Sequence, residues 1–127
     1  MGVEFNVTVY DLHTHSSVSD GILSPENLVS RAKLMGVDVL ALTDHDSVAG
    51  LARARVSAEA CGLGFIDGIE LSCQWGKFGV HIVGLNIDAH NPTLLKGVQA
   101  QTEARRLRGE LIAQKLEKLG IQGALEG

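Results

Sequence analysis

Four short runs in this chain carry side chains of the kind that bind metal ions: Asp11-Leu12-His13-Thr14-His15, Thr43-Asp44-His45-Asp46, Gly68-Ile69-Glu70 and Val80-His81-Ile82. His13 and His15 are two residues apart. On a continuing strand both imidazoles point to one face and can grip one ion from the same side. His-x-His alone is weak evidence, since a pair of core or solvent histidines reads the same way. Asp20 lies in Ser19-Asp20-Gly21, a turn sequence that an Asx turn also explains, and the upstream histidine pair tips it towards a ligand. Asp44-His45-Asp46 closes an apolar run, where successive titratable groups are costly unless something of opposite charge sits beside them. His45 is the better ligand there, and Asp44 is a candidate to orient an imidazole. Asp46 and Ser47 read as helix N-caps. Glu70 is flanked by Ile69 and Leu71, a costly place for a carboxylate without a cation. His81, inside Val80-His81-Ile82-Val83, fits a core histidine or a ligand equally, and His90 reads as a surface residue in a turn.

Together His13, His15, Asp20, His45, Glu70 and His81 form a mixed nitrogen and oxygen donor set. Such donors suit zinc, manganese or iron, and the absence of thiolates among them argues against a structural zinc site. Six donors exceed the needs of one tetrahedral ion. Two or more ions are therefore expected, which can share a bridging hydroxide and neutralise a phosphoryl oxygen during in-line displacement.

The elements that must position these residues alternate. Residues 5–12, with Phe5, Val7 and Val9 in period-2 alternation, predict a first strand running into His13. Ser24-Pro25 opens a helix with Leu28, Val29, Ala32 and Met35 on one face and a stop at Gly36. Val37 to Leu42 is a nearly continuous apolar run, as in a parallel strand covered on both faces. A second helix is expected from near Ser47 to Gly62, with Leu51 and Ala58 inward. Gly64 to Leu71 predicts a third strand kinked at Asp67-Gly68, and Val80 to Ile87 a fourth. Trp75 to Gly79 reads as the hairpin-like connection between them, so these strands either pair antiparallel or flank a bulge. Asn91-Pro92-Thr93 opens a long helix, about 94–119, whose polar middle holds three arginines. The order β, α, β, α, β, β, α predicts an α/β fold, and ligands at successive strand ends suit a (β/α) barrel.

Composition sets bounds. The 127 residues are 45% hydrophobic with a net charge of −4, so no basic field announces nucleic acid. Bound metal ions would carry their own positive charge to a phosphate substrate. A metal-lined barrel normally takes about 200 residues or more. Residues 119–127 read as a helix stop, a connector and the start of another element, so the chain is expected to end partway through its architecture. Cys61 and Cys73 lack CxxC spacing and read as small buried hydrophobes rather than a disulfide. No apolar run approaches the roughly 18 residues of a membrane span, and a cytoplasmic location with no membrane partner is expected.

The ordered set Asp11-Leu12-His13-Thr14-His15-Ser16, Ser19-Asp20-Gly21, Leu42-Thr43-Asp44-His45-Asp46, Gly68-Ile69-Glu70-Leu71-Ser72 and His81-Ile82-Val83-Gly84 resembles the polymerase and histidinol phosphatase (PHP) superfamily of metal-dependent phosphoesterases. The stretch from His81 to Asp88, the arginine-bearing helix and the closing Gly123-Ala124-Leu125-Glu126-Gly127 look like the branch of bacterial 3′,5′-nucleoside bisphosphate phosphatases and 5′-to-3′ exoribonucleases. That resemblance implies a distorted (β/α)7 TIM-like barrel with a manganese-favouring centre of three ions. His13 and His15 would hold the first ion and Asp20 and His45 the second. Glu70 would bridge the first and third, and His81 would hold the third. The family's later ligands, a histidine and an Asp-x-His pair, have no counterpart in this sequence. The resemblance further implies that residues 1–92 are the N-terminal part of the barrel and that 93–127 begin a helical cap over the substrate. Arg105 and Arg108, three apart on one helix face, would clamp a phosphate there, and a solvated basic face is the alternative. The implied substrates are nucleoside 3′,5′-bisphosphates and short 5′-phosphorylated RNA, with no DNA partner. Alternatives are a histidinol-phosphate or protein-tyrosine phosphatase of the same superfamily, or a non-catalytic metal-binding domain.

Overall fold

The computed structural model describes residues 6–125. Its elements, in chain order, are β1 (Tyr10–Asp11), α1 (Pro25–Leu34), β2 (Val39–Leu42), α2 (Leu51–Cys61), β3 (Gly64–Trp75), β4 (Phe78–Leu85) and α3 (Pro92–Lys118). The chain divides into two compact units, Met1–Ala89 and His90–Gly127.

In the first unit the strands form one sheet in the order β1-β2-β3-β4. β1 and β2 are parallel, as are β2 and β3, while β3 and β4 form an antiparallel hairpin. Leu40, Ala41 and Leu42 are consecutive and all fully buried, which requires cover on both faces of β2. Val29 and Ala32 of α1 and Leu51, Ala54 and Ala58 of α2 supply much of that cover. The two helices are joined at the surface by Arg53, whose guanidinium donates to both oxygens of Glu26 at 2.7 and 2.8 Å. That pairing holds the Glu26 carboxyl below its ordinary range.

Ser24 caps α1, its hydroxyl accepting the Asn27 N–H, and Gly36 follows the helix with a left-handed φ of 85°. Met35, expected on the inner face, is exposed because it is already the capping residue beyond the last turn. The second helix begins at Leu51 rather than near Ser47. Residues 46–50 are instead committed to turns: the Ser47 hydroxyl accepts the Ala49 N–H, and the Leu51 N–H bonds back to Val48. Both cysteines are free, and Cys61 is exposed on α2 rather than buried, since Ala54 and Ala58 hold the inner face.

The first strand is shorter than expected, and Phe5 lies outside the described residues, as do Glu126 and Gly127 of the closing segment. Before Tyr10, a side chain enters the ladder: Val9 donates its N–H to Asp38 Oδ2 at 2.8 Å while its carbonyl accepts from Asp38 and Val39. β3 runs on to Trp75, four residues past the expected end, because β4 pairs with it from Gly68↔Leu85 to Trp75↔Phe78 around the Gly76-Lys77 turn. For the same reason β4 begins at Phe78, ahead of Val80, and ends at Leu85. Asp67-Gly68 is where the regular ladder to β2 on one edge of β3 ends and the ladder to β4 on its other edge begins. A Cβ at Gly68 would stand 2.6 Å from Thr43 Cγ2 and 2.9 Å from the Leu42 carbonyl oxygen, so the close approach there needs glycine.

The second unit is dominated by α3, capped by Asn91, whose side chain accepts the N–H groups of Thr93 and Leu94. Arg106 pairs along the helix with Glu103 and Glu110, which raises the guanidinium pKa and lowers that of Glu103. Among the described residues no helix is long and apolar enough to cross a membrane.

Candidate metal centre

Beyond Asp11 the β1 and β2 segments continue side by side, with hydroxyls standing in for backbone partners. Thr14 donates its N–H to Thr43 Oγ1 at 3.1 Å and its hydroxyl to the Ala41 carbonyl at 2.6 Å. Thr43 returns its own N–H and hydroxyl to the Thr14 carbonyl at 2.9 and 3.0 Å. With Thr14 and Ser16 turned inwards, His13 and His15 are left on the other side. Their Nε2 atoms converge to 3.2 Å.

The β2 segment is tied in turn to β3. Glu70 donates its N–H to the Asp44 carbonyl at 3.1 Å, Asp46 donates its own to the Glu70 carbonyl at 2.9 Å, and His45 and Glu70 form a parallel bridge. Asp46, expected as a helix cap, turns the chain out of the sheet with φ of 46° and accepts the Ser72 N–H at 2.9 Å. An aspartate tolerates this left-handed conformation better than most residues. On β4, His81 stands opposite Ser72, so it shares a face with Glu70.

Glu70 is the centre of the result. Its carboxylate side chain is 7% exposed, and imidazole nitrogens surround it. Oε1 lies 3.1 Å from His13 Nε2 and 3.8 Å from His81 Nδ1; Oε2 lies 3.0 Å from His45 Nδ1 and 3.3 Å from His15 Nε2. Asp20 faces the outer edge, 3.2 Å from His45 Nε2 and 3.6 Å from His15 Nδ1. The structure thus brings all six predicted donors together in three overlapping trios: His13, His15 and Glu70; His15, Asp20 and His45; and His45, Glu70 and His81. Exposure separates a floor from a rim. His15 and His45 join Glu70 below, whereas His13, His81 and Asp20 are 54, 55 and 64% exposed at the side chain.

These residues fit a divalent cation on their own chemistry. His15 Nδ1 is a buried polar atom without a hydrogen-bond partner, because Asp20 Oδ1 at 3.6 Å is too far. The two histidine Nε2 atoms at 3.2 Å either share one proton in an N–H···N hydrogen bond or both turn lone pairs to a cation. Donors about 3.0 to 3.4 Å apart are neighbours around one ion with bonds of about 2.1 Å. Ligand sharing among the trios by His15, His45 and Glu70 suits ions held close together.

Asp44, read from sequence as a partner for an imidazole, is directed elsewhere. It is buried, and its carboxylate accepts from Ser16 N–H at 2.7 Å, Ser16 Oγ at 2.7 Å and Ser19 Oγ at 2.8 Å. Ser16 and Ser19 are the residues that sequence reasoning missed. For Ser16 the signal was there in the hydroxyls of Thr14 and Ser16 that alternate with His13 and His15, whereas Ser19 sits apart in the following turn. Arg105 and Arg108 both lie on the exposed surface of α3 in the second unit. His90 is exposed in a turn.

The PHP domain matches residues 11–118 of this chain. A 5′-3′ exoribonuclease of Haemophilus influenzae is 48% identical over 118 residues, covering 93% of this chain and 43% of that protein. A 3′,5′-nucleoside bisphosphate phosphatase of Chromobacterium violaceum is 44% identical over 117 residues, covering 92% of this chain and 41% of that protein. A solved structure described as an amidohydrolase from Chromobacterium violaceum, with bound sulfate and no metal, superposes with a TM-score of 0.85 at 43% identity. That match covers 93% of this chain and 42% of the other. The chain therefore spans well under half the length of the proteins it resembles.

Proposed function

The chain belongs to the PHP domain family and carries part of its TIM-like α/β barrel, and on that premise we propose that the protein is a metal-dependent phosphohydrolase. Its substrates would be nucleoside 3′,5′-bisphosphates, losing the 3′-phosphate, and 5′-phosphorylated RNA ends. The observation that carries the reading is the set of three donor trios sharing Glu70, His45 and His15. Bound divalent cations, three of them and manganese by preference, would supply positive charge to the phosphoryl oxygens and an activated water. The chain's own residues would hold them: His13, His15 and Glu70 in one position, His15, Asp20 and His45 in a second, and His45, Glu70 and His81 in a third. The exposed rim of His13, His81 and Asp20 leaves the approach side open to a phosphoester, while the buried floor keeps the bridging carboxylate from water. Ser16 and Ser19 donate their hydroxyls to Asp44 within the loop, and in this reading water is the nucleophile, with no covalent enzyme intermediate.

Residues 93–127 begin the helical cap in this reading, and Arg105 and Arg108 clamp the substrate's remote phosphate. The two relatives' named activities support the substrate class. The test is phosphate release from adenosine 3′,5′-bisphosphate by the intact protein with Mn2+, beside histidinol phosphate as the competing substrate. Faster turnover of the bisphosphate, abolished by exhaustive chelation and weakened in substrate affinity by Arg105→Ala and Arg108→Ala, is expected. Full activity after chelation would sink the metal reading. Preference for histidinol phosphate would move the protein to the other phosphatase class, and unchanged affinity in both arginine variants would remove the clamp.

A further inference from the structure

Asp44 is a buried acid that the proposed reaction does not use. Its carboxylate bonds to the serines of a neighbouring loop rather than to an imidazole. It accepts three hydrogen bonds, all from the loop that leaves His15 and returns as Asp20. Ser16 gives it both the backbone N–H and the hydroxyl at 2.7 Å, and Ser19 gives its hydroxyl at 2.8 Å. The loop is closed on itself around this anchor. Ser19 and Gly21 donate their N–H groups to the Ser16 carbonyl at 3.1 and 2.9 Å, and the Val18 N–H reaches Ser16 Oγ at 3.2 Å. A Cβ at Gly21 would lie 2.3 Å from the His15 carbonyl oxygen, so the turn is packed against the backbone of the histidine it follows. On its other side, the Asp44 carbonyl accepts the Glu70 N–H, and His45 follows directly in sequence. One residue therefore ties together the loop of His15 and Asp20, the end of β2 with His45, and the strand of Glu70.

We propose that Asp44 is a positioning residue for the candidate metal centre, fixing Asp20 against His15 and His45 through Ser16 and Ser19. The inference rests on the metal-binding reading above and deepens it. Asp20 is the most exposed of the six donors, and its own side chain has no short partner except His45. Its place is set by the loop, and the loop is set by Asp44. The trio of His15, Asp20 and His45 is thus the one whose geometry depends on this anchor. Residues that support metal ligands in this indirect way typically carry about 10- to 100-fold in metal affinity.

The experiment is a calorimetric Mn2+ titration of the full chain, with a thermal melt of each variant in chelator. Ser19→Ala removes one of the three hydrogen bonds and leaves the Ser16 pair. Asp44→Asn keeps an acceptor for Ser16 N–H and Ser19 Oγ. Asp44→Ala removes all three. Mn2+ affinity is expected to fall about 10- to 100-fold in Asp44→Ala and by a smaller factor in Ser19→Ala, with Asp44→Asn recovering part of the loss. A merely structural role would lower the melting temperature in chelator without this graded effect on affinity. If Ser19→Ala and any Asp44 variant that melts cooperatively bind Mn2+ as the unaltered chain does, the positioning role is wrong. If the unaltered chain binds no Mn2+ at all, the metal-binding reading fails and takes this inference with it.

Discussion

Replacing Glu70 by glutamine probes the metal centre at its most connected point. Gln has nearly the same shape, so the change removes a negative charge and little else. Glu70 belongs to two of the three donor trios, and its side chain is 7% exposed, so water screens it poorly. At an effective dielectric of about 20, a unit charge centred about 3 Å from a divalent ion interacts with it by roughly 11 kcal/mol before desolvation is subtracted. If a quarter of that survives, affinity falls by roughly 2.7 kcal/mol, or about 100-fold. The consequence can be read as a melting temperature. Free Mn2+ at about 100 times the dissociation constant stabilises the unaltered chain by about 2.7 kcal/mol per site. At the same concentration a variant binding about 100-fold more weakly gains only about 0.4 kcal/mol. For a domain of this size those figures correspond to rises of roughly 10 °C and roughly 1 to 2 °C. In chelator the two proteins should differ by no more than about 1 kcal/mol, because the carboxylate then has only imidazoles as partners. Melts followed by circular dichroism, with Mn2+ and with chelator, give all four values. Equal metal-induced shifts in Glu70→Gln and the unaltered chain would refute the reasoning that makes Glu70 a shared ligand.

Gly68→Ala should destabilise the fold by about 1 to 3 kcal/mol in urea denaturation, because its Cβ overlaps Thr43 Cγ2 and the Leu42 carbonyl where the regular ladder to β2 ends; an unchanged midpoint would show that the strands separate freely there. The Glu26–Arg53 pair makes a pH-dependent contribution. Arg53 holds the Glu26 carboxyl below its ordinary 4.5, so the pair's stabilisation is complete above that pH and is lost as pH falls through the lowered folded-state value. The small stability difference between Glu26→Gln and the unaltered chain at pH 7 should therefore vanish in acid, and a difference that grows there would contradict the assignment. Metal affinity should also weaken as pH falls, since neutral imidazoles and carboxylates are the donors; titration at pH 7.5 and 5.5 tests this, and equal affinities would count against histidine ligation.

Much of this protein was legible along the chain. The α/β order follows from apolar periodicity, the start of α1 from Ser24-Pro25, the start of α3 from Asn91-Pro92, and the helix stops from Gly36 and Gly62. These signals are local: a cap or a proline acts on the few residues beside it. The six candidate donors could be named for the same reason, since titratable groups inside apolar runs are conspicuous where they stand. The misread boundaries were those set by partners distant in sequence. β3 outlasts its own apolar stretch because β4 pairs with it to Trp75, and α2 starts late because Asp46, bonded to Glu70 and Ser72, first turns the chain out of the sheet.

Asp44 and Asp46 show the limit most clearly. Both read as local helpers, one for an imidazole and one for a helix start. Each instead holds a segment more than twenty residues away, Asp44 the Ser16–Ser19 loop and Asp46 the Ser72 N–H. Hydrogen bonding across such separations depends on which strands lie side by side, and nothing near either residue encodes that. The kinds of donors and the strands that bear them are written in the order of residues. That they meet around one buried carboxylate is a property of the fold, because the parallel pairing of β1, β2 and β3 and the hairpin to β4 bring four distant segments to a single place.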